Sequence, residues 1–299
     1  MVAVLSCLAA CDREQGSDTQ EQIRVSSNNI GLEYAEPELV TEQKLGDYLI
    51  RIIRLHPNQI EQRLEIWTKD QGVLSAEPSF VFEGGTLMIS PEQATGSEYA
   101  LPYGVDVIGD SSPEFIVREW SGGAHCCFTD YIISLRASIT VQSIDLGHGE
   151  QAAWKQDQDG EWVLHAKDWT FSYWEASFAG SAVVDIVLAG QSEVFVPSEK
   201  HMKRVPVDRT TLEAMATELS TWMDEGQDDP KARLAEAMLD LMYSGQREAA
   251  SVLLELVLPK GHPLREEFET RFYNELSLSP WWPAVSEFSD PGITDAKSE

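Results

Sequence analysis

The hydrophobic rhythm of the chain changes twice. The segment before residue 46 (DREQGSDTQEQIRVSSNNIGLEYAEPELVTE and its flanks) is polar, acidic and aperiodic, so residues 11–45 read as a tether outside any packed core. From residue 46 short apolar runs rich in β-branched and aromatic residues take over: DYLIRIIRL, RLEIWTKD, SFVFEGG, TLMIS, EFIVREW, TDYIISL and SITVQSIDL. Glycine, proline and aspartate punctuate them, which predicts strands joined by short turns. KQDQDGEWVLHAKDW reads as a hairpin turned at Asp159-Gly160, a pair that tolerates positive φ. AVVDIVLAG and EVFVP close the β region, placing one β domain at 46–200, as a sandwich, an open barrel or propeller-like blades.

Beyond Pro206 the period becomes helical. Thr210-Thr-Leu-Glu213 has the form of a capping box, and Leu212, Met215, Leu219 and Trp222 fall on one face of the helix it opens. Asp229-Pro230 pairs an N-cap type with proline at the first helical position, and Leu234, Met238, Leu241 and Met242 make the next stripe. Ala250, Leu253, Leu254 and Val257 follow after a short Ser-Gly-Gln link, which predicts a helical hairpin. A fourth helix from Pro263 carries Leu264, Phe268, Phe272 and Leu276. The expected fold class is therefore α+β in separate regions, an all-β part followed by an α-helical part at 206–290. A tetratricopeptide-type array is not expected, because the pair does not repeat.

Composition narrows the partners. A net charge of −28 over 299 residues repels phosphate backbones, so nucleic acid is not an expected ligand. At the N-terminus MVAVLSCLAAC is apolar but too short to span a bilayer, which needs about 20 residues. Its Leu8-Ala9-Ala10-Cys11 resembles the bacterial lipobox, in which the peptide before the cysteine is removed and the cysteine becomes lipidated. That resemblance implies a signal peptide at 1–10, a membrane anchor at Cys11, and a periplasm-facing protein held to the inner or outer membrane. Cys7 would leave with the signal, so Cys126 and Cys127 would be the only thiols left, in an oxidising compartment.

Those two lie in WSGGAHCCF. In a regular strand His125 and Cys127 share one face and Cys126 and Phe128 the other, so the two sulfurs point apart. A bond between them requires a turn instead, which Gly122 and Gly123 make accessible. Both geometries are open at this level. A copper or zinc site, or a redox centre, on His125, Cys126 and Cys127 would need further ligands, and His148 and His165 have no diagnostic spacing.

Two other stretches carry candidate chemistry. DVIGDSSPE places Asp106, Asp110 and Glu114 at positions one, five and nine, a spacing of oxygen ligands that suits calcium. It resembles the calcium loops of FG-GAP repeats, with Ile108 and Ser111 replacing a ligand and the turn glycine. In DWTFSYWEASF, Trp169, Phe171 and Tyr173 would share a face of an extended segment, as a core row or as a sugar-binding platform. Taken together, DVIGDSSPEFIVREWSGGAHCCF, DWTFSYWEASFAGS, LMYSG and SPWWP resemble a group of uncharacterised secreted or periplasmic Gram-negative proteins. The resemblance implies compartment and fold and brings no activity with it. The function expected is a binding or scaffold role in the envelope, toward envelope proteins or glycans, with loops 106–128 as the recognition surface. A thiol or metal protein and a carbohydrate-binding module are the alternatives, and no catalytic residue is singled out.

Overall fold

The computed structural model describes residues 36–70, 73–89, 101–123, 126–136, 138–149, 152–226 and 229–293. Cys11 and His125 lie outside them. A β region precedes a helical region, as the hydrophobic pattern predicts. The chain divides into two compact units, one ending at Leu87 and one starting at Met88.

The first unit is an antiparallel sheet. It comprises β1 (Glu38–Leu45), β2 (Tyr48–Arg54), β3 (Gln62–Asp70), β4 (Val73–Leu74) and β5 (Phe80–Gly84). Strands run β1-β2-β3, and β4 and β5 both pair with β3. Ile50, Ile52, Leu64 and Ile66 bury its apolar side. Strand β1 starts inside the segment read as tether. Its charges had masked it, and those charges now pair across the sheet: Glu42 opposite Arg51 and Glu38 opposite Arg54, with Arg63 likewise opposite Glu83. Such exposed pairs are worth only about 0–1 kcal/mol each, so they favour the register more than they stabilise the fold.

In the second unit β8 (Glu114–Trp120), β9 (Phe128–Leu135) and β10 (Ile139–Gly147) form an antiparallel meander. Strands β6 (Thr86–Ile89) and β7 (Tyr103–Val105) both pair with β8. A third sheet follows as β11 (Ala153–Gln156), β12 (Trp162–Asp168), β13 (Val184–Gln191) and β14 (Val194–Pro197), each pairing with the next. The turn at Asp159-Gly160 is where the hairpin pattern places it, between β11 and β12.

Among the described residues six α-helices complete the unit: α1 (Glu199–Met202), α2 (Arg209–Asp224), α3 (Pro230–Tyr243), α4 (Arg247–Val257), α5 (Arg265–Leu276) and α6 (Trp282–Val285). Helix α2 starts two residues earlier than the capping-box reading requires. Asp208 is its N-cap, accepting from the Thr211 amide at 2.8 Å, and Thr210 lies within the first turn. Helix α3 has buried residues nearly all round, from Ala232 to Tyr243, because it lies between neighbours. Its apolar side chains join those of the second and third sheets in one core, including Ile116, Ile132, Leu164, Leu188, Leu234 and Phe272.

Two features lock the sheets of this unit together. Arg118 forks onto Asp130 directly opposite it, Nε to Oδ1 at 2.6 Å and Nη2 to Oδ2 at 2.8 Å. Its remaining Nη1 donates to the Ala152 carbonyl, and the Trp154 indole donates to Asp130, so the buried pair reaches into the third sheet with its hydrogen bonds satisfied. Gly190 lies so close to the 106–113 loop that a Cβ there would sit 2.6 Å from the Ile108 carbonyl oxygen.

Candidate functional site

The 106–114 loop holds itself together with its own carboxylates. Asp106 accepts from the amides of Gly109 (2.7 Å), Asp110 (3.1 Å) and Ser111 (2.8 Å). Asp110 accepts from the Ser112 amide and pairs with Arg136. Glu114 is buried and accepts from the amides of Val107 and Ile108 and from the Ser134 hydroxyl. The three carboxylates suggested for calcium thus face amide, hydroxyl and guanidinium donors and do not converge on a common centre. Among the described residues the only three His, Cys, Asp or Glu groups close enough to share an ion are Asp157, Asp159 and Glu161. The Lys200 ammonium already sits among them, at 2.9, 2.7 and 3.3 Å. Lys200, and His201 behind it, hold the Asp157 carboxyl well below the usual carboxylate range. The spacing DQDGE carried that cluster in plain view; its lysine comes from α1, 39 to 43 residues away.

At the other end of β8 the chain turns through Gly122 and Gly123, both with positive φ, and β9 begins only at Phe128. Cys126 and Cys127 therefore precede the strand and are joined to each other by a disulfide. Of the two geometries the sequence allows, the turned one is adopted, because a regular strand would send the sulfurs to opposite faces. Both carbonyls of the pair are held: Trp120 Nε1 donates to Cys126 O at 3.3 Å, and the Ser121 amide donates to Cys127 O at 3.1 Å. With both sulfurs bonded, neither offers the thiolate that copper, zinc or nucleophilic chemistry requires.

The 106–113 loop and the Cys126–Cys127 pair lie at opposite ends of β8. Seven residues of β8 separate them, about 20 Å of strand. What lies beside the disulfide loop comes from later in the chain. Phe128 pairs with Gly147 at the end of β10, and a Cβ on Gly147 would sit 3.2 Å from the Trp169 ring. His148 packs against Trp169 and Phe178, with ring centroids 4.9 and 4.8 Å away. His165 is elsewhere, on β12 opposite Ala153 and Val187.

The 169–177 segment is a series of turns, not an extended row, so the alternating face expected for Trp169, Phe171 and Tyr173 does not form. Phe171 and Trp174 enter the core, Trp169 stacks on Phe178 with an interplanar angle of 7°, and Tyr173 is 60% exposed. The turn is tightly determined. Tyr173 and Glu175 both take positive φ, 60° and 53°, a region disfavoured for bulky side chains. The Tyr173 amide donates to Ser181 Oγ at 2.8 Å, and Glu175 pairs with Lys231 of α3 and Arg271 of α5.

Below this turn lies a buried network that single-chain reasoning missed. Asp168 accepts from Thr170 Oγ1 (2.5 Å), from Ser279 Oγ (2.6 Å) and from the Tyr243 hydroxyl, and Ser279 in turn accepts from the amides of Trp281 and Trp282. Burial, with Asp168 beside it, pushes the Tyr243 phenol far up. The motifs DW, LMYSG and SPWWP each supply one member: Asp168, Tyr243 and Ser279. The shared network gives three separated motifs a single structural reason. No family model, curated protein or solved structure matches this chain.

Proposed function

We propose that this chain is a lipid-anchored, periplasm-facing binding protein whose recognition surface is formed by Tyr173, Phe178 and Trp169, beside Gly147 at the end of the second sheet where Cys126 and Cys127 precede β9. The observation that carries the reading is Tyr173: a large exposed ring on backbone of unfavourable φ, its amide tied to Ser181 and its neighbour Glu175 paired with Lys231 of α3 and Arg271 of α5. Local strain of this kind costs on the order of 1–3 kcal/mol per residue and collects at binding sites. An apolar core has no use for a tyrosine pointed at solvent, whereas a ligand with a flat C–H face does. Envelope glycans present such faces, and the acidic chain disfavours polyanions.

The anchor rests on Cys11 and its lipobox resemblance; intact-mass analysis of the membrane-extracted chain, expected to show residues 1–10 absent and acyl groups on Cys11, tests it. For the surface, the test is titration of the full chain with soluble cell-envelope glycan fragments. Saturable quenching of tryptophan emission is expected in the unmodified chain, with its midpoint moved to roughly tenfold higher glycan in Tyr173→Ala. The same midpoint in both chains would exclude this surface. The thiol-based copper or zinc reading is the weaker one, because the disulfide occupies both sulfurs.

A further inference from the structure

The two backbone geometries that a Cys-Cys pair can adopt are mutually exclusive, and one chemical event separates them. In the disulfide the pair must turn; with the bond broken, the covalent bar to continuing β9 backwards is removed. The ladder is already set for that continuation. Trp120 pairs with Phe128, and the next pair in the same register, Ser121 with Cys127, is joined by the Ser121 amide at 3.1 Å from Cys127 O. The turn is held open at the next step by the ring and by the Trp120 indole on Cys126 O. Gly122 and Gly123 give the β8 side the backbone freedom to follow.

We infer that the Cys126–Cys127 pair is a two-electron acceptor site for a dithiol, and that its reduction switches the end of β9 from turn to strand. A thiolate of the dithiol attacks one sulfur and forms a mixed disulfide. The second thiol of the same reductant then resolves it, so the reductant leaves as a disulfide. Cys126 and Cys127 take up the two protons the reductant gave up and remain as two thiols. Both residues are partly exposed, so a small dithiol can reach them. In the reduced strand the pleat assigns Cys126 to the side of Phe128, which packs against the core, and Cys127 to the side of Thr129. The two thiols thus end in different surroundings, whereas a loop that merely lost its bond leaves them alike. The inference stands on the loop alone and does not require the glycan-binding reading.

The experiment uses the folded full-length chain in detergent, treated with dithiothreitol and then pulsed with iodoacetamide, with peptide mass spectrometry and tryptophan emission as readouts. Two alkyl groups are expected, on Cys126 and Cys127, with Cys127 labelled several-fold faster. The part of the emission lost in Trp120→Phe should change on reduction and return on reoxidation. A Cys126→Ser, Cys127→Ser chain should show the reduced-state emission without reductant. Absence of labelling until denaturant is added overturns the acceptor site. Labelling at equal rates with unchanged Trp120 emission overturns the switch.

Discussion

Replacing Tyr243 by phenylalanine removes one oxygen from the middle of the molecule and little else. The ring keeps its volume and its place against Trp282, 6.2 Å between centroids. What goes is the hydroxyl's bond to the Asp168 carboxylate and its 3.0 Å contact with Ser279. Asp168 keeps the Thr170 amide and hydroxyl and the Ser279 hydroxyl, so its charge is not left bare. The loss is therefore that of one bond to a charged group, about 2 kcal/mol, without the larger penalty of an orphaned ion. In a unit of this size that corresponds to a fall in Tm of about 4–8 °C. Thermal and urea unfolding of the full chain, followed by circular dichroism, measures it. Ser279→Ala removes a donor to the same carboxylate and the acceptor for the Trp281 and Trp282 amides at the start of α6, and the double variant should depart from additivity because both residues act through Asp168. A Tm change within about 1 °C for Tyr243→Phe, below what even a weak buried bond predicts, would refute the network's structural role.

Other outcomes follow from the same contacts. Gly190→Ala drives a methyl into the Ile108 carbonyl and should cost about 1–3 kcal/mol, with faster amide exchange at Gly109 and Ser111 as the 106–113 loop lifts. Arg118→Ala strands the buried Asp130 charge and should destabilise the unit by about 3–5 kcal/mol, read by urea midpoint; Arg118→Met with Asp130→Leu should recover part of it. The Ser289 hydroxyl and the Lys203 ammonium lower the Glu199 carboxyl from 4.5 to about 2. Because the unfolded chain binds that proton first, the tie between Glu199 and the Ser289 amide is intact above pH 4.5 and is lost as pH falls toward 2. Carbon-detected NMR titration checks it, and a Glu199 midpoint near 4.5 would remove the tie.

The periodic parts of this fold could be read from the chain. Ala153 to Asp168 announces its hairpin through Asp159-Gly160, and Ser244-Gly245-Gln246 announces the link between α3 and α4, because both depend on residues adjacent in sequence. Strand β1 was hidden because its partners, Arg51 and Arg54, lie on another strand and most of its own residues are polar or charged. The site was less legible for the same reason. Asp168, Tyr243 and Ser279 meet only after folding, and nothing local to any of them marks the other two. Periodicity placed Tyr173 on a shared face with Trp169, yet a bond from its amide to Ser181 and ion pairs on Glu175 from α3 and α5 fold the segment into turns. For Cys126 and Cys127 the alternatives were visible from strand stereochemistry, but the choice between them depended on the carbonyl partners Trp120 and Ser121.

The most direct test of the account is the affinity of the full-length chain for soluble envelope glycan fragments, by titration calorimetry, before and after Tyr173→Ala. Loss of one stacking ring from a surface that binds through its aromatics should weaken binding by about 1–2 kcal/mol, on the order of tenfold in Kd, with the fold unchanged by circular dichroism. The same Kd in both chains, or no binding by either, would contradict the assignment of this surface as the one that recognises glycan.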